Sequence, residues 1–178
     1  MKKIRVEYRD AAVPELMIYG AIGESFWGDG VTDVAVAEAL ASIPKSAQSV
    51  TVRINSPGGD AFQGLAIYNL LHQSRLTINA IVDGLAASAA SVILMAGDTR
   101  QIAENAMVMI HEAAALTIGN KADHAKTIEV LKELDNSLAI TYAARTGGNR
   151  DMMSSMMASE TWMGAQDSKA KGFIDEII

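Results

Sequence analysis

The sequence predicts an α/β fold with largely parallel strands, and three observations lead to it. Short apolar runs alternate with stretches of helical spacing along all 178 residues. The runs repeatedly end at glycine or at a glycine-rich turn, the usual way a strand hands the chain to a helix. No repeat and no linker breaks the alternation, so one domain over residues 1–178 is expected. A sheet covered by crossover helices requires such alternation.

Taken in order, Leu16 to Tyr19 reads as a strand closed by Gly20. From Val31 to Ile43 apolar residues recur at helical spacing, with Val34, Ala37, Leu40 and Ala41 on one face. Ser49 to Ile54 alternates and is rich in β-branched residues, so it is a strand, stopped by Asn55-Ser56-Pro57-Gly58-Gly59-Asp60. A helix follows through Leu65, Ile67, Leu70 and Leu71. Thr77 to Val82 is the next strand, ending at Gly84, and a helix over Ala86 to Ala96 comes after it. Met107 to Ile110 is a strand with His111 at its end. Asp123 to Arg145 is the longest helical pattern, with Ile128, Leu131, Leu134 and Leu138 on one stripe. Short helices around Arg150 to Ala158 and Ala165 to Ala170 precede a last strand, Phe173 to Ile178.

Composition narrows the function. Apolar residues make up 49% and charged residues 20%, an ordinary globular balance. The net charge of −6 argues against nucleic-acid binding, which needs a basic surface. With no cysteine, a thiol nucleophile, a disulfide framework and a Cys-ligated metal are excluded. The three histidines (His72, His111, His124) are scattered, so no metal or other cofactor is expected. Gly84 to Gly97, the longest apolar stretch, falls short of the roughly 20 residues of a membrane span. The charged start, Met1 to Glu7, has no apolar segment behind it, so no signal peptide and a cytoplasmic protein are expected.

Three features lie at the ends of successive strands, where open α/β sheets place their ligands. In Asn55 to Asp60, two glycines after a proline let the backbone approach a ligand closely and turn its N–H groups outward. The same residues also suit a plain strand-to-helix turn. In Gly84-Leu85-Ala86-Ala87-Ser88-Ala89-Ala90-Ser91, a serine among alanines at a strand-to-helix junction can stand exposed, with the next backbone N–H beside it. The alternative is a small-residue helix in which Ser88 and Ser91 satisfy backbone carbonyls. The third feature is His111, directly after a buried strand. A serine hydroxyl needs a neighbouring base, and His111 is the histidine that a strand end presents; His72 and His124 fall in helical patterns.

In this order, Ile54 to Gly59, Gly84 to Ala89, Val108 to His111 and the tail from Trp162 through Gly172 to Asp175 resemble the ClpP peptidase family. The resemblance runs from about Met17 to Ile178. It implies a ClpP/crotonase-like spiral of β-β-α units with a protruding handle over about residues 112–146. It makes Ser88 the nucleophile and His111 its base, with the backbone N–H groups of Gly59 and Ala89 as oxyanion hole. It also implies a polypeptide substrate and a ring-shaped homo-oligomer, a heptamer or stacked double ring. The family's third catalytic residue is an Asp; counting back from Gly172 arrives at Glu160, which becomes the acid here. Asp135 and Asp123 are the next candidates.

Phe26-Trp27-Gly28-Asp29-Gly30, Gly59-Asp60, Tyr142 to Gly147 and Glu160-Thr161-Trp162 are similar to the ClpP-like head maturation proteases of phages. These cut scaffold and capsid protein, which would place the enzyme in the bacterial host cytoplasm or a phage procapsid. About 16 residues precede the first predicted strand, fewer than in the degradative ClpP that meets an unfoldase. A degradative subunit working with an AAA+ unfoldase is the alternative. A crotonase-like protein binding acyl-CoA is a third reading, and one that has no need of a Ser–His pair.

Overall fold

The computed structural model describes residues 6–10 (by their backbone), 13–24 and 30–178. Phe26 to Asp29 and Met1 to Arg5, on which two of the sequence readings rest, lie outside the described residues.

Two strands open the chain rather than one. β1 (Val6–Asp10) runs antiparallel to β2 (Val13–Tyr19), so β1 lies within the segment read as preceding the first strand. β2 continues in parallel to β3 (Ser49–Ser56), then β4 (Thr77–Ala87), β5 (Thr99–Ile102) and β8 (Glu176–Ile177). The period-2 pattern of β3 buries Val50, Val52 and Ile54, and that of β4 buries Ile78, Ala80 and Val82. β4 is longer than its sequence suggested. It forks the sheet: Asn79 to Val82 pair with β5, and Leu85 to Ala87 pair with β6 (Met107–Ile110). β6 then pairs antiparallel with β7 (Thr161–Gly164). The small residues Ala86 and Ala87 at the end of β4 are both buried, although Gly84 just before them is exposed.

Helices cover the sheet. α1 (Asp33–Ser42) is capped by Thr32, and α2 (Ala61–His72) by Asp60, whose carboxylate accepts from the Gln63 N–H at 3.0 Å. α1 buries Val36 and Ala39, followed by Ile43; Val34, placed inside by the sequence pattern, is 62% exposed. The segment is apolar nearly all round, so spacing alone does not choose its inner face. α3 (Ala89–Leu94) is buried throughout.

α4 (Lys121–Thr146) starts earlier than predicted because Asn120 and Asp123 form a capping box, and it ends where Gly147 turns left-handed at φ 74°. At 26 residues it is about 39 Å long. Its second half buries Leu134, Leu138, Ala139 and Tyr142. Its first half stands out of the molecule: Ile128 and Val130 are exposed and Leu131 is half-buried, so the predicted apolar stripe is core only at its C-terminal end. α5 (Arg150–Ala158) and α6 (Ala165–Ala170) flank β7. The buried Arg100 ties the tail down. It pairs with Asp175 at 2.8 Å and donates to the carbonyls of Arg145 and Gly172.

Candidate active site

The fork in β4 assembles the site. Where β4 ends, Ser88 takes φ 53° and ψ −127°, and α3 begins at the next residue. A left-handed backbone at a non-glycine residue costs on the order of 1–3 kcal/mol and persists only when its surroundings enforce it. Here they do. The Ser88 N–H donates to the Met109 carbonyl at 2.9 Å, holding the elbow to β6. Gly58 packs so closely against the elbow that an added Cβ would lie 2.7 Å from that of Ser88 and 2.6 Å from the Ala87 carbonyl. Only glycine fits there, and its φ of 88° suits only glycine as well.

His111 follows β6, the strand to which the elbow is pinned. Its Nε2 lies 2.8 Å from Ser88 Oγ. Both side chains are half-buried, shielded enough to hold their geometry and open enough to meet a substrate.

Two backbone N–H groups belong to residues beside the elbow, Gly59 next to Gly58 and Ala89 next to Ser88. Ile22 donates to the Gly58 carbonyl at 2.8 Å, and Asp60 donates to the Ile22 carbonyl at 2.9 Å. In a parallel bridge of this kind the middle residue, Gly59, keeps its own N–H and C=O on the side away from the partner strand. The Ala89 N–H opens α3 and has no intrahelical acceptor. Neither donates to another described group.

A family model described as Clp protease matches residues 22–178. The chain belongs to the Clp protease family. Among Clp relatives, an ATP-dependent Clp protease proteolytic subunit from Bacteroides fragilis is 32% identical over 133 residues, 74% of this chain and 64% of the relative. One of the same description from Deinococcus radiodurans is 34% identical over 134 residues, 74% of this chain and 65% of the relative. The chain thus spans less than two thirds of the length of these relatives. A solved structure of a mutant ClpP1 from Listeria monocytogenes superposes with a TM-score of 0.80, covering 92% of this chain and 90% of that one at 22% identity. The α/β fold with its parallel sheet is the Clp protease fold.

Within that fold, Glu160 is brought near His111 by its backbone but not by its carboxylate. β6 and β7 pair Met109 with Trp162 and Ile110 with Thr161, so the next pair in register is His111 and Glu160. The Glu160 carboxylate, however, accepts from the Trp162 indole N–H at 3.1 Å, and no hydrogen bond joins it to His111. Glu160 has φ 44°. Among the described residues, it and Ser88 are the two non-glycine residues with positive φ. The other acids are engaged elsewhere: Asp135 accepts from the Ala113 N–H at 2.7 Å, and Asp123 from Asn120 at 2.9 Å.

The fold gives three groups near this region roles that the sequence does not assign to them. The Met109 carbonyl anchors Ser88, Asp135 holds the segment just after His111, and Tyr142 reaches Ser91 behind the elbow. Along the chain, Tyr142 shows only as the start of the Tyr142 to Gly147 segment and as an inward residue of a long helix, neither of which points to Ser91.

Proposed function

We propose that the protein is a serine endopeptidase, and the 2.8 Å contact between Ser88 Oγ and His111 Nε2 at a strained strand-to-helix elbow carries that reading. Nε2 takes the hydroxyl proton as Oγ attacks the scissile carbonyl. The N–H groups of Gly59 and Ala89 receive the developing oxyanion, each typically worth about 10²- to 10³-fold in rate. The imidazolium then protonates the leaving amine, and water hydrolyses the acyl-enzyme with His111 again as base. Glu160 serves as orienting acid once its carboxylate exchanges the Trp162 indole for the other ring nitrogen of His111. The acyl-CoA reading has no use for a hydroxyl–imidazole pair and is disfavoured by it.

The working form is a ring-shaped homo-oligomer, a heptamer or a stacked double ring whose two rings meet through the handle of about residues 112–146. Its support is the exposed apolar surface there: Leu116 and Ile118 are 95% and 91% exposed, and Ile128 and Val130 also face outward. The substrate is a polypeptide. The motifs shared with head maturation proteases favour scaffold or capsid protein, cut in the host cytoplasm or a procapsid. A second reading, a degradative subunit dependent on an AAA+ unfoldase, is favoured by the names of the relatives, both ATP-dependent. A fluorophosphonate probe followed by peptide mapping tests the nucleophile, with Ser88 the expected site. Labelling elsewhere in an active preparation overturns it. Casein digestion with and without ATP and an unfoldase separates the two partner readings.

A further inference from the structure

Behind the elbow sit two buried polar groups that the proposed mechanism does not use. Ser91 is 0% exposed and Tyr142 1%. Ser91 Oγ lies 2.7 Å from the Ser88 carbonyl and 2.8 Å from the Tyr142 hydroxyl. The directions of these bonds follow from chemistry. A carbonyl only accepts, so the single Ser91 hydroxyl proton points at Ser88, and the Tyr142 O–H must donate to Ser91 Oγ. Burial pushes the Tyr142 phenol well above its ordinary value, which keeps that proton in place.

The Ser88 carbonyl also accepts from the Ser91 N–H at 2.9 Å. Two donors therefore fix the peptide plane between Ser88 and Ala89. That peptide is planar and trans, so its C=O and its N–H point in opposite directions. Fixing the carbonyl therefore fixes the direction of the Ala89 N–H. Hydrogen bonds accepted by a peptide C=O also polarise the N–H across the same bond, making it a stronger donor.

We infer that Ser91 and Tyr142 are positioning residues for the oxyanion hole: the relay from Tyr142 through Ser91 to the Ser88 carbonyl aims and strengthens the Ala89 N–H. This rests on the serine-peptidase reading. It gives the buried end of α4 a direct hold on the elbow, since Tyr142 lies on that helix.

The test is steady-state kinetics on a peptidyl ester and its thionoester with the assembled wild-type chain, Ser91→Ala, Tyr142→Phe and the double variant. Sulfur accepts hydrogen bonds poorly, so the rate preference for the ester reports the hole itself. Ser91→Ala is expected to lower kcat on the order of tenfold at unchanged KM, less than the loss of a whole donor, and to shrink the ester preference. Tyr142→Phe should show the same pattern to a smaller degree. The double variant should be no slower than Ser91→Ala, because Tyr142 acts through Ser91. Full kcat and an undiminished ester preference in folded Tyr142→Phe and Ser91→Ala would overturn the inference. So would single losses that multiply in the double variant. If Ser91→Ala does not fold, the near-isosteric Tyr142→Phe and Ser91→Thr decide by the same two readouts. Ser88→Ala run alongside separates the two levels: activity surviving there overturns the nucleophile, whatever the relay does.

Discussion

The elbow and the outer half of α4 are opposite solutions to the same problem of satisfying surface. Ser88 is flanked by alanines and packed on by Gly58, and Ala89, Ala90 and Ser91 are buried. The elbow carbonyl receives two hydrogen bonds and its N–H gives one. That region is complete within one chain and holds a strained backbone because of it. Along residues 121–133 of α4, by contrast, all but two half-buried residues are exposed, apolar ones included. This half of the helix is well capped, and little among the described residues packs against it. Beside it, Phe62 and Leu65 of α2 face Val130 and Leu134 across a groove of about 410 Å³ with an almost wholly apolar lining. The difference teaches which part is satisfied within the chain: the elbow is packed by its own core, while the outer half of α4 leaves apolar side chains exposed.

The largest effect is expected where the complete region does its chemistry. Ser88→Ala and His111→Ala should each lower peptide hydrolysis by on the order of 10⁴-fold or more, to similar residual rates, because such residues act as a unit. Thermal melting should scarcely move. A variant that retains activity, or one that loses it only by unfolding, would break the reading of the elbow as a self-supporting site.

Next comes a pair of substitutions on one helix. Leu138→Glu puts a carboxylate at a position 6% exposed and should cost several kcal/mol, enough to unfold the subunit in circular dichroism. Val130→Glu, at a position 52% exposed, should keep helix content and shift only the sedimentation coefficient toward smaller species. Equal damage from both would erase the contrast between the two halves of α4.

Glu160 sharpens the comparison at the edge of the site. Glu160→Gln should lower kcat by at least roughly 10²-fold, since loss of the charge in a comparable triad costs about 10⁴-fold. Glu160→Asp should be milder. A few-fold change from the Gln variant would leave His111 oriented without a carboxylate.

The smallest effect concerns Tyr142 in alkali. Its pKa is raised by burial, so its stabilising contribution is fully present below its ordinary value of 10.0 and is lost as pH rises toward the raised value. Above pH 10.0 the unfolded chain ionises this phenol while the folded chain resists. The stability of the wild type relative to Tyr142→Phe should therefore fall by up to about 1.4 kcal/mol per pH unit. Urea titrations of both proteins between pH 9 and 11.5 measure it. A constant difference would mean that the phenol is not shielded.

Much of the architecture follows from local rules that need only neighbouring residues. The alternation of Ser49 to Ile54, the turn at Asn55 to Asp60, and the serine and histidine at strand ends were all legible along the chain. The triplet of Ser88, His111 and the glycine turn was legible as candidates because each sits where a strand stops. Tertiary structure alone decided what depends on meeting a distant segment. β5 and β7 are four residues each and exist because β4 and β6 offer them partners. β4 runs on through Gly84 to Ala87 because β6 pairs with its end, against a local pattern that stopped it. The inner face of α1 is set by what it packs against, α2 included, since apolar residues occur nearly all round it. The direction of the Glu160 carboxylate depends on Trp162 as much as on His111, and the Tyr142–Ser91 bond spans 51 residues. Periodicity reports a residue's own preference for a face. Which group it finds there is a matter of packing, and packing is decided by the whole chain at once.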